Sequence, residues 1–367
     1  MKSVSGTATA KRPSANPKIT AKSGWLVLRY GMAAKANGYQ LCLWPSASNS
    51  VSELRAWPPG SKCEKLPEIQ IVINRSCLFL RNRDMKFFMN DTSPGIPWRD
   101  LTYVGFDTET SGKYPLSAEI CEIAAVKWKN GQIIDTFHTL IKPSLPMGAE
   151  VIAIHGITND MVENSPRIED KIAEFHQFIQ GSIPVAHHAP FDLGFIAIEF
   201  EKAGLSLPEM PVLCSSLLSR KLFPESSNHR LQTLIQFFKL PQGAAHRALD
   251  DAKACLEVGL LCLEKSGDAV LEKTLLAQGG ALTWQRFSMR ALNSENPNAS
   301  RLIDAVKNLK IVSMTYSGGS APGESRRVHP VGVVRSLDGD FLVAYDEKDQ
   351  RSKRYFIEKI TNVEAIT

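Results

Sequence analysis

Residues 101–110 read Leu101-Thr102-Tyr103-Val104-Gly105-Phe106-Asp107-Thr108-Glu109-Thr110. The run is short and apolar until two carboxylates appear two residues apart, which predicts a strand over 101–108 with the acids at its end. Period-two geometry sets Asp107 and Glu109 on one face. Adjacent carboxylates repel, so the pair is costly unless cations neutralise it.

Working outward, strand and helix patterns alternate. Residues 120–129 form a second strand, Asn130-Gly131 a hairpin turn, and 133–141 a third strand. Helical spacing runs through 170–180, a short strand through 185–188, and helices through 192–203, 231–238 and 248–264. Strands mixed with helices around one sheet make an α/β domain over 101–267. Upstream, 24–100 reads as a small β-rich module, with strand-like runs at 25–28, 39–44, 69–73, 77–80 and 86–89. Arg75, Arg81, Arg83 and Lys86 interleave there with Phe79, Phe87 and Phe88, a pattern that suits either single-strand stacking or a core with solvated charges between. Residues 1–23 carry five Lys/Arg and no acid, with Ser, Thr, Ala and Pro filling the rest, and read as a disordered basic tail. Residues 268–300 read as a linker with one helical stretch. The last module, 301–367, opens with a helix over 301–308 and continues in strands at 311–316, 327–335, 340–345 and 354–358.

Composition sets the outer bounds. The chain has 367 residues, 43% hydrophobic and 22% charged, which suits a soluble globular protein of two or three domains. No uncharged apolar run reaches the ~18 residues of a membrane span, so no membrane partner is expected. Seven cysteines at irregular spacings, without a CxxC pair, read as free thiols in a reducing cytoplasm. The net charge of +5 hides an asymmetry: +9 over residues 1–100, −6 over 101–267 and +2 over 268–367. A basic segment joined to an acidic one suggests an electrostatic tether beside a metal-binding body, or else a solvated tail.

Two further acids stand out, Asp192 at the start of a helix and Asp251 on a later one. Carboxylate ligands of this kind suit Mg²⁺ or Mn²⁺. The stretch Phe106-Asp107-Thr108-Glu109-Thr110 is similar to the first motif of the DnaQ-like DEDDh exonucleases. His187-His188-Ala189-Pro190-Phe191-Asp192 resembles the second, and His246-Arg247-Ala248-Leu249-Asp250-Asp251 the third. The stretch around His155-Gly156-Ile157-Thr158 and the pair Glu122-Ile123 are also similar to that family. The resemblance implies a ribonuclease-H-like fold and metal-dependent 3′→5′ exonucleolysis, with single-stranded DNA ends favoured as substrate. A ribonuclease of the same fold, or a regulatory nucleic-acid-binding protein with a vestigial centre, is the alternative.

Carried onto this chain, the resemblance implies two divalent ions, ~4 Å apart, clamping an in-line displacement at phosphorus. Asp107 would bridge both, Glu109 and Asp251 would complete one site, and Asp192 would serve the second. His246 would take the proton of the nucleophilic water, since imidazole titrates near neutrality. Five residues along one helix would turn His246 ~140° from Asp251, so His246 belongs to the loop before the helix. Spacing from His246 selects Asp251 over Asp250, which is left exposed. Phe191 and His155 occupy positions that in the family lie near the terminal nucleotide, and Thr108, Thr110 and His188 join them as substrate-binding candidates that the resemblance implies. His188 departs from the family, which commonly has Asn there.

Residues 301–367 resemble a WYL domain, through the opening helix, Tyr316, Arg327-x-x-Pro330 and Arg354-Tyr355-Phe356. Phe341-Leu342-Val343 stands in place of the signature triplet, and Lys359 where Arg is common. The resemblance implies a nucleotide or nucleic-acid ligand, with Arg326, Arg327, Arg335 and Arg354 as candidates to converge on phosphate.

Overall fold

The computed structural model describes residues 97–241, 243–267, 271–319 and 321–366, together with the backbone of six strands before them. The chain falls into two compact units, 1–92 and 93–367.

The first unit holds β1 (Ser3–Gly6), β2 (Ala21–Gly24), β3 (Leu26–Leu28), β4 (Gln40–Pro45), β5 (Ser52–Trp57) and β6 (Gln70–Ile73). They form one sheet in the order β2-β1-β3-β4-β5-β6. Strand β1 and all but the last residue of β2 lie within the stretch 1–23 read as a tail. The expected strands at 77–80 and 86–89, and the basic–aromatic run, lie outside the described residues.

In the second unit β7 (Tyr103–Thr110), β8 (Ile120–Lys129) and β9 (Gln132–Leu140) make an antiparallel meander. The hairpin between β8 and β9 turns at Asn130 and Gly131, both at positive φ. Strands β10 (Ile183–Ala186) and β11 (Leu213–Cys214) add in parallel, giving the order β11-β10-β7-β8-β9. This is a ribonuclease-H-like sheet. Helices α1 (Ala149–His155), α2 (Asn159–Val162), α3 (Ile168–Ile179), α4 (Pro190–Lys202), α5 (Ser215–Leu222), α6 (Leu231–Phe238) and α7 (Ala248–Ser266) surround it.

Alternation along β7 sorts the two layers. Val104 and Phe106 face the core shared with α3 and α4, where Phe175 and Phe200 are fully buried. Tyr103 faces the other core, with Leu256 of α7. Strand β7 is displaced by two residues from its expected span, because a 3₁₀ turn at Trp98–Asp100 comes first and the Tyr103 hydroxyl donates to the Trp98 carbonyl at 2.9 Å. Strand β10 ends before His187 and His188, and the left-handed backbone at His188 (φ 58°) breaks the extended run.

The stretch read as a linker is packed. It carries α8 (Leu271–Ala277), a 3₁₀ turn at Trp284–Phe287 and α9 (Met289–Glu295). Trp284 and Phe287 are fully buried in the α3–α4 core, with Trp284 stacked on Phe106 at 6.0 Å. Beyond it, α10 (Ala299–Lys307) covers a sheet of β12 (Val312–Tyr316), β13 (Ser325–Val334), β14 (Phe341–Asp346), β15 (Arg351–Phe356) and β16 (Ile360–Ala365), in the order β15-β14-β13-β12-β16.

This C-terminal sheet shares its core with the first layer: Ile198 of α4 lies among its buried residues and Leu116 of the β7–β8 loop packs on it. A polar clamp joins the same elements. Arg335 at the end of β13 donates to the Ser288 carbonyl at 2.6 Å and pairs with Asp340 and Glu295. The Ser288 hydroxyl in turn donates to Glu201 near the end of α4.

Candidate active site

Gly105 determines how α7 meets β7. A side chain there would come within 2.5 Å of the Ala252 carbonyl and of Leu256 Cβ. The missing Cβ lets α7 lie directly on the central strand, which brings Asp251 to the face that carries Asp107 and Glu109. Ligand atoms of Glu109, His246 and Asp251 lie within 4.8 Å of one another. Asp251 is buried; its Oδ2 accepts from the His246 amide at 3.1 Å and its Oδ1 from Gln232 Nε2 at 3.3 Å. His246 sits in the loop before α7, exposed, with φ 57°.

Asp192 arrives from α4, two residues after the proline that starts the helix. It is buried, and its Oδ1 accepts from both the Thr108 amide (3.0 Å) and the Thr108 hydroxyl (2.8 Å). Asp192 is thereby fastened to the strand that carries Asp107.

All four carboxyls are held above the usual range. Burial raises Asp107 most, and the charges of Asp192, Glu109 and Asp251 raise it further. Burial, then Asp251 and Glu122, push Glu109 up to about 8. Burial lifts Asp192 to about 7 against the opposing bonds from Thr108, and lifts Asp251 to about 6 against the His246 amide. Among the described residues no Lys or Arg pairs with any of the four. A cluster of hard oxygen donors that no Lys or Arg among the described residues pairs with fits divalent cations.

Glu122 is the contrast: the sequence marks it as similar to the family but does not show what it pairs with. It lies opposite Glu109 in the β7–β8 register and is fully buried. Arg247 grips it through Nε (3.2 Å) and NH2 (2.7 Å), the Ala248 amide donates to it at 2.9 Å, and His138 Nε2 lies at 2.8 Å. Burial alone would raise this carboxyl; bonds from Arg247, His138 and Ala248 outweigh burial and hold it below its ordinary value.

The remaining residues are dispersed. The Thr110 hydroxyl donates to the Gly112 carbonyl at 2.7 Å, and the Thr108 hydroxyl is turned to Asp192. His155 is buried against Cys121, 3.8 Å away, and its Nδ1 accepts from the Ile157 amide at 3.0 Å. The side chains of these three residues hydrogen-bond within the protein. Phe191 is half-buried and tilted against Phe195 at 5.1 Å. His188 is exposed in the left-handed region, which Asn, Asp and His adopt more often than other non-glycine residues, so histidine here satisfies the same backbone demand as the Asn common in the family. His187 braces the strand end between Ser215 Oγ (2.8 Å) and the His229 carbonyl (3.0 Å), and burial presses it down to about 4. Asp250 is half-buried rather than exposed, since its Oδ2 accepts from the Ala244 amide at 2.8 Å.

In the C-terminal module the arginines do not converge. Arg326 pairs with Asp346, Arg327 with Glu347, and Arg335 with Asp340 and Glu295, while Arg354 lies over the Phe341 ring at 5.1 Å. Each of the first three is occupied by its own carboxylate, so the expected phosphate cradle is not formed.

Comparison with known proteins follows the same division. Residues 104–258 match the exonuclease family model, and residues 297–365 match the WYL domain model. A PolC-type DNA polymerase III of Halalkalibacterium halodurans is 43% identical over 159 residues, which are 43% of this chain and 11% of the polymerase. The PolC-type DNA polymerase III of Bacillus subtilis is 39% identical over 168 residues, 46% of this chain and 12% of the polymerase. The chain thus spans only about a ninth of the length of these relatives. Among solved structures, exonuclease X in complex with 5′ overhanging duplex DNA is 29% identical, covering 49% of this chain and 99% of that one, with a TM-score of 0.37. The chain carries an exonuclease domain at residues 104–258 and a WYL domain at residues 297–365.

Proposed function

We propose that the protein is a divalent-metal-dependent 3′→5′ exonuclease acting on nucleic-acid 3′ ends, with single-stranded DNA ends as its substrate. The observation that carries this reading is the set of four carboxyls, Asp107, Glu109, Asp192 and Asp251, raised by burial and mutual repulsion with no partner cation among the described residues. DNA is favoured because the relatives that share 39–43% identity over the exonuclease span are DNA polymerases.

In this reading Asp107, Glu109, Asp192 and Asp251 hold Mg²⁺ or Mn²⁺. When bound, the cations supply charge neutralisation at phosphorus and lower the pKa of water. Thr108 keeps Asp192 oriented through its two bonds. His246, exposed beside Glu109 and Asp251, accepts the proton of the attacking water. Phe191 and His188 are assigned in this reading to stacking on the terminal nucleotide and to hydrogen bonding with it. The domain limits we propose are 101–267 for the catalytic domain, extended by the packed segment 271–295, and 297–367 for the WYL domain.

The test uses 5′-labelled DNA and RNA oligonucleotides with Mg²⁺, Mn²⁺ or chelator, resolved by length. A ladder shortening from the 3′ end, faster on DNA and abolished by chelator, is expected. Asp107→Ala should keep the fold and lower the rate by orders of magnitude. Full activity in chelator or in that variant would overturn the reading.

A further inference from the structure

We propose that Arg247, anchored on Glu122, is a positioning residue that sets the pose of His246. This rests on the reading of His246 as the proton acceptor and concerns how that residue is held. The His246 imidazole forms no hydrogen bond of its own among the described residues, so only the backbone aims it. That backbone is left-handed, an uncommon conformation for a non-glycine residue that histidine tolerates better than most, so the contacts of the loop fix where the ring points.

The surroundings are two brackets. After His246, the Arg247 fork and the Ala248 amide all end on the Glu122 carboxylate. Glu122 belongs to β8, directly opposite Glu109, so the residues following His246 are tied to the same pair of strands that carries the acids. Before His246, the Ala244 amide donates to Asp250, and a Cβ on Gly243 would come within 2.5 Å of the Asp250 carboxyl carbon. Between them the His246 amide donates to Asp251 Oδ2 at 3.1 Å, so the backbone is held before, at and after the imidazole. Arg247 is not available as a phosphate ligand through Nε or NH2, since both already serve Glu122. A planar guanidinium delivers two parallel bonds and hence a fixed direction, which an ammonium cannot reproduce.

The test is a double-mutant cycle on the full chain, with kcat and KM measured for a single-stranded oligonucleotide. Arg247→Lys keeps the charge against Glu122 but loses the fork, and should lower kcat about tenfold with KM within about twofold; Arg247→Ala should cost about a hundredfold, the scale of a 1 Å misplacement of a reacting group. In a His246→Ala background neither substitution should lower kcat further, because there is no imidazole left to aim. Multiplying losses would show that Arg247 acts through something else, such as the fold or the substrate, and would overturn the proposal. So would a wild-type kcat in both Arg247 variants while His246→Ala is slow, which leaves the reading of His246 standing. If His246→Ala itself turns over like wild type, the reading of His246 fails and the positioning role with it. Should Arg247→Ala fail to fold because Glu122 is stranded without its cation, the lysine variant decides by the same cycle.

Discussion

At the residue scale the site is defined by unequal compensation. Glu122 is matched by Arg247, whereas Glu109, across the strand pair from it, is not. The consequence is a pH-dependent stability whose sign can be worked out. Glu109, Asp192 and Asp251, at about 8, 7 and 6, bind their protons more tightly in the folded state than in the unfolded chain. Well below pH 4 both states are protonated and the difference vanishes. From there towards pH 8 the unfolded chain ionises first, so the metal-free protein loses stability as pH rises. The Tm in chelator is expected to fall between pH 5 and 8, and the Tm gained on adding Mn²⁺ to grow over the same window. Thermal melts across that range check this; a metal-induced gain that does not vary with pH would mean the carboxyls are not held protonated.

At the scale of elements, the carboxylates were legible and their supports were not. Asp107 and Glu109 announce themselves because an apolar run ends in paired acids, and strand periodicity is local. Glu122 lies in another apolar strand, and its place opposite Glu109 depends on a register that shifts between Glu109 and Thr110, which no local pattern reveals. Trp284 and Phe287 were missed for a related reason: they lie in a 3₁₀ turn of four residues, too short to show a period, so their burial was invisible in a stretch that reads as a linker. The short α1 and α2, of seven and four residues, escaped in the same way. Gly105 is the reverse case, a glycine inside a strand that becomes intelligible only once α7 is seen lying on it. Replacing Gly105 by Ala should push α7 off β7, cost about 1–3 kcal/mol and lower turnover as Asp251 moves away from Glu109. Urea midpoints and initial rates check both effects. An alanine variant with unchanged midpoint and rate would mean that the helix does not depend on that close approach.

At the scale of the molecule, the charge asymmetry gives the amino-terminal unit a role to test. Residues 1–100 carry +9 against −6 over 101–267, and a basic arm would raise the local concentration of a polyanion beside an acidic domain. The deletion should stop at residue 92, because Trp98 is buried in the second unit. Removing 1–92 is expected to weaken oligonucleotide binding most at low salt. It should also flatten the salt dependence, by ~0.7 in log affinity per log unit of salt for each single-strand phosphate that the arm would otherwise neutralise. Turnover at saturating substrate should hardly change. Binding isotherms at several ionic strengths decide the matter; an unaltered slope in the folded deletion would reduce the charge to a solubility feature.

The boundary between the exonuclease and WYL domains contains one position with no freedom at all. A Cβ on Gly332 of β13 would fall 2.5 Å from the Cβ of Tyr114, in the loop that follows the paired acids of β7. Strand interiors ordinarily favour branched side chains, yet here any side chain would collide with the neighbouring domain. Sequence segments that look interchangeable, an exonuclease followed by a WYL module, are therefore keyed to each other where the β13 backbone meets the Tyr114 side chain. A WYL domain transplanted from elsewhere would need a glycine at this register to seat beside Tyr114, so recombination of these two modules is restricted by the fit of a single missing methyl group.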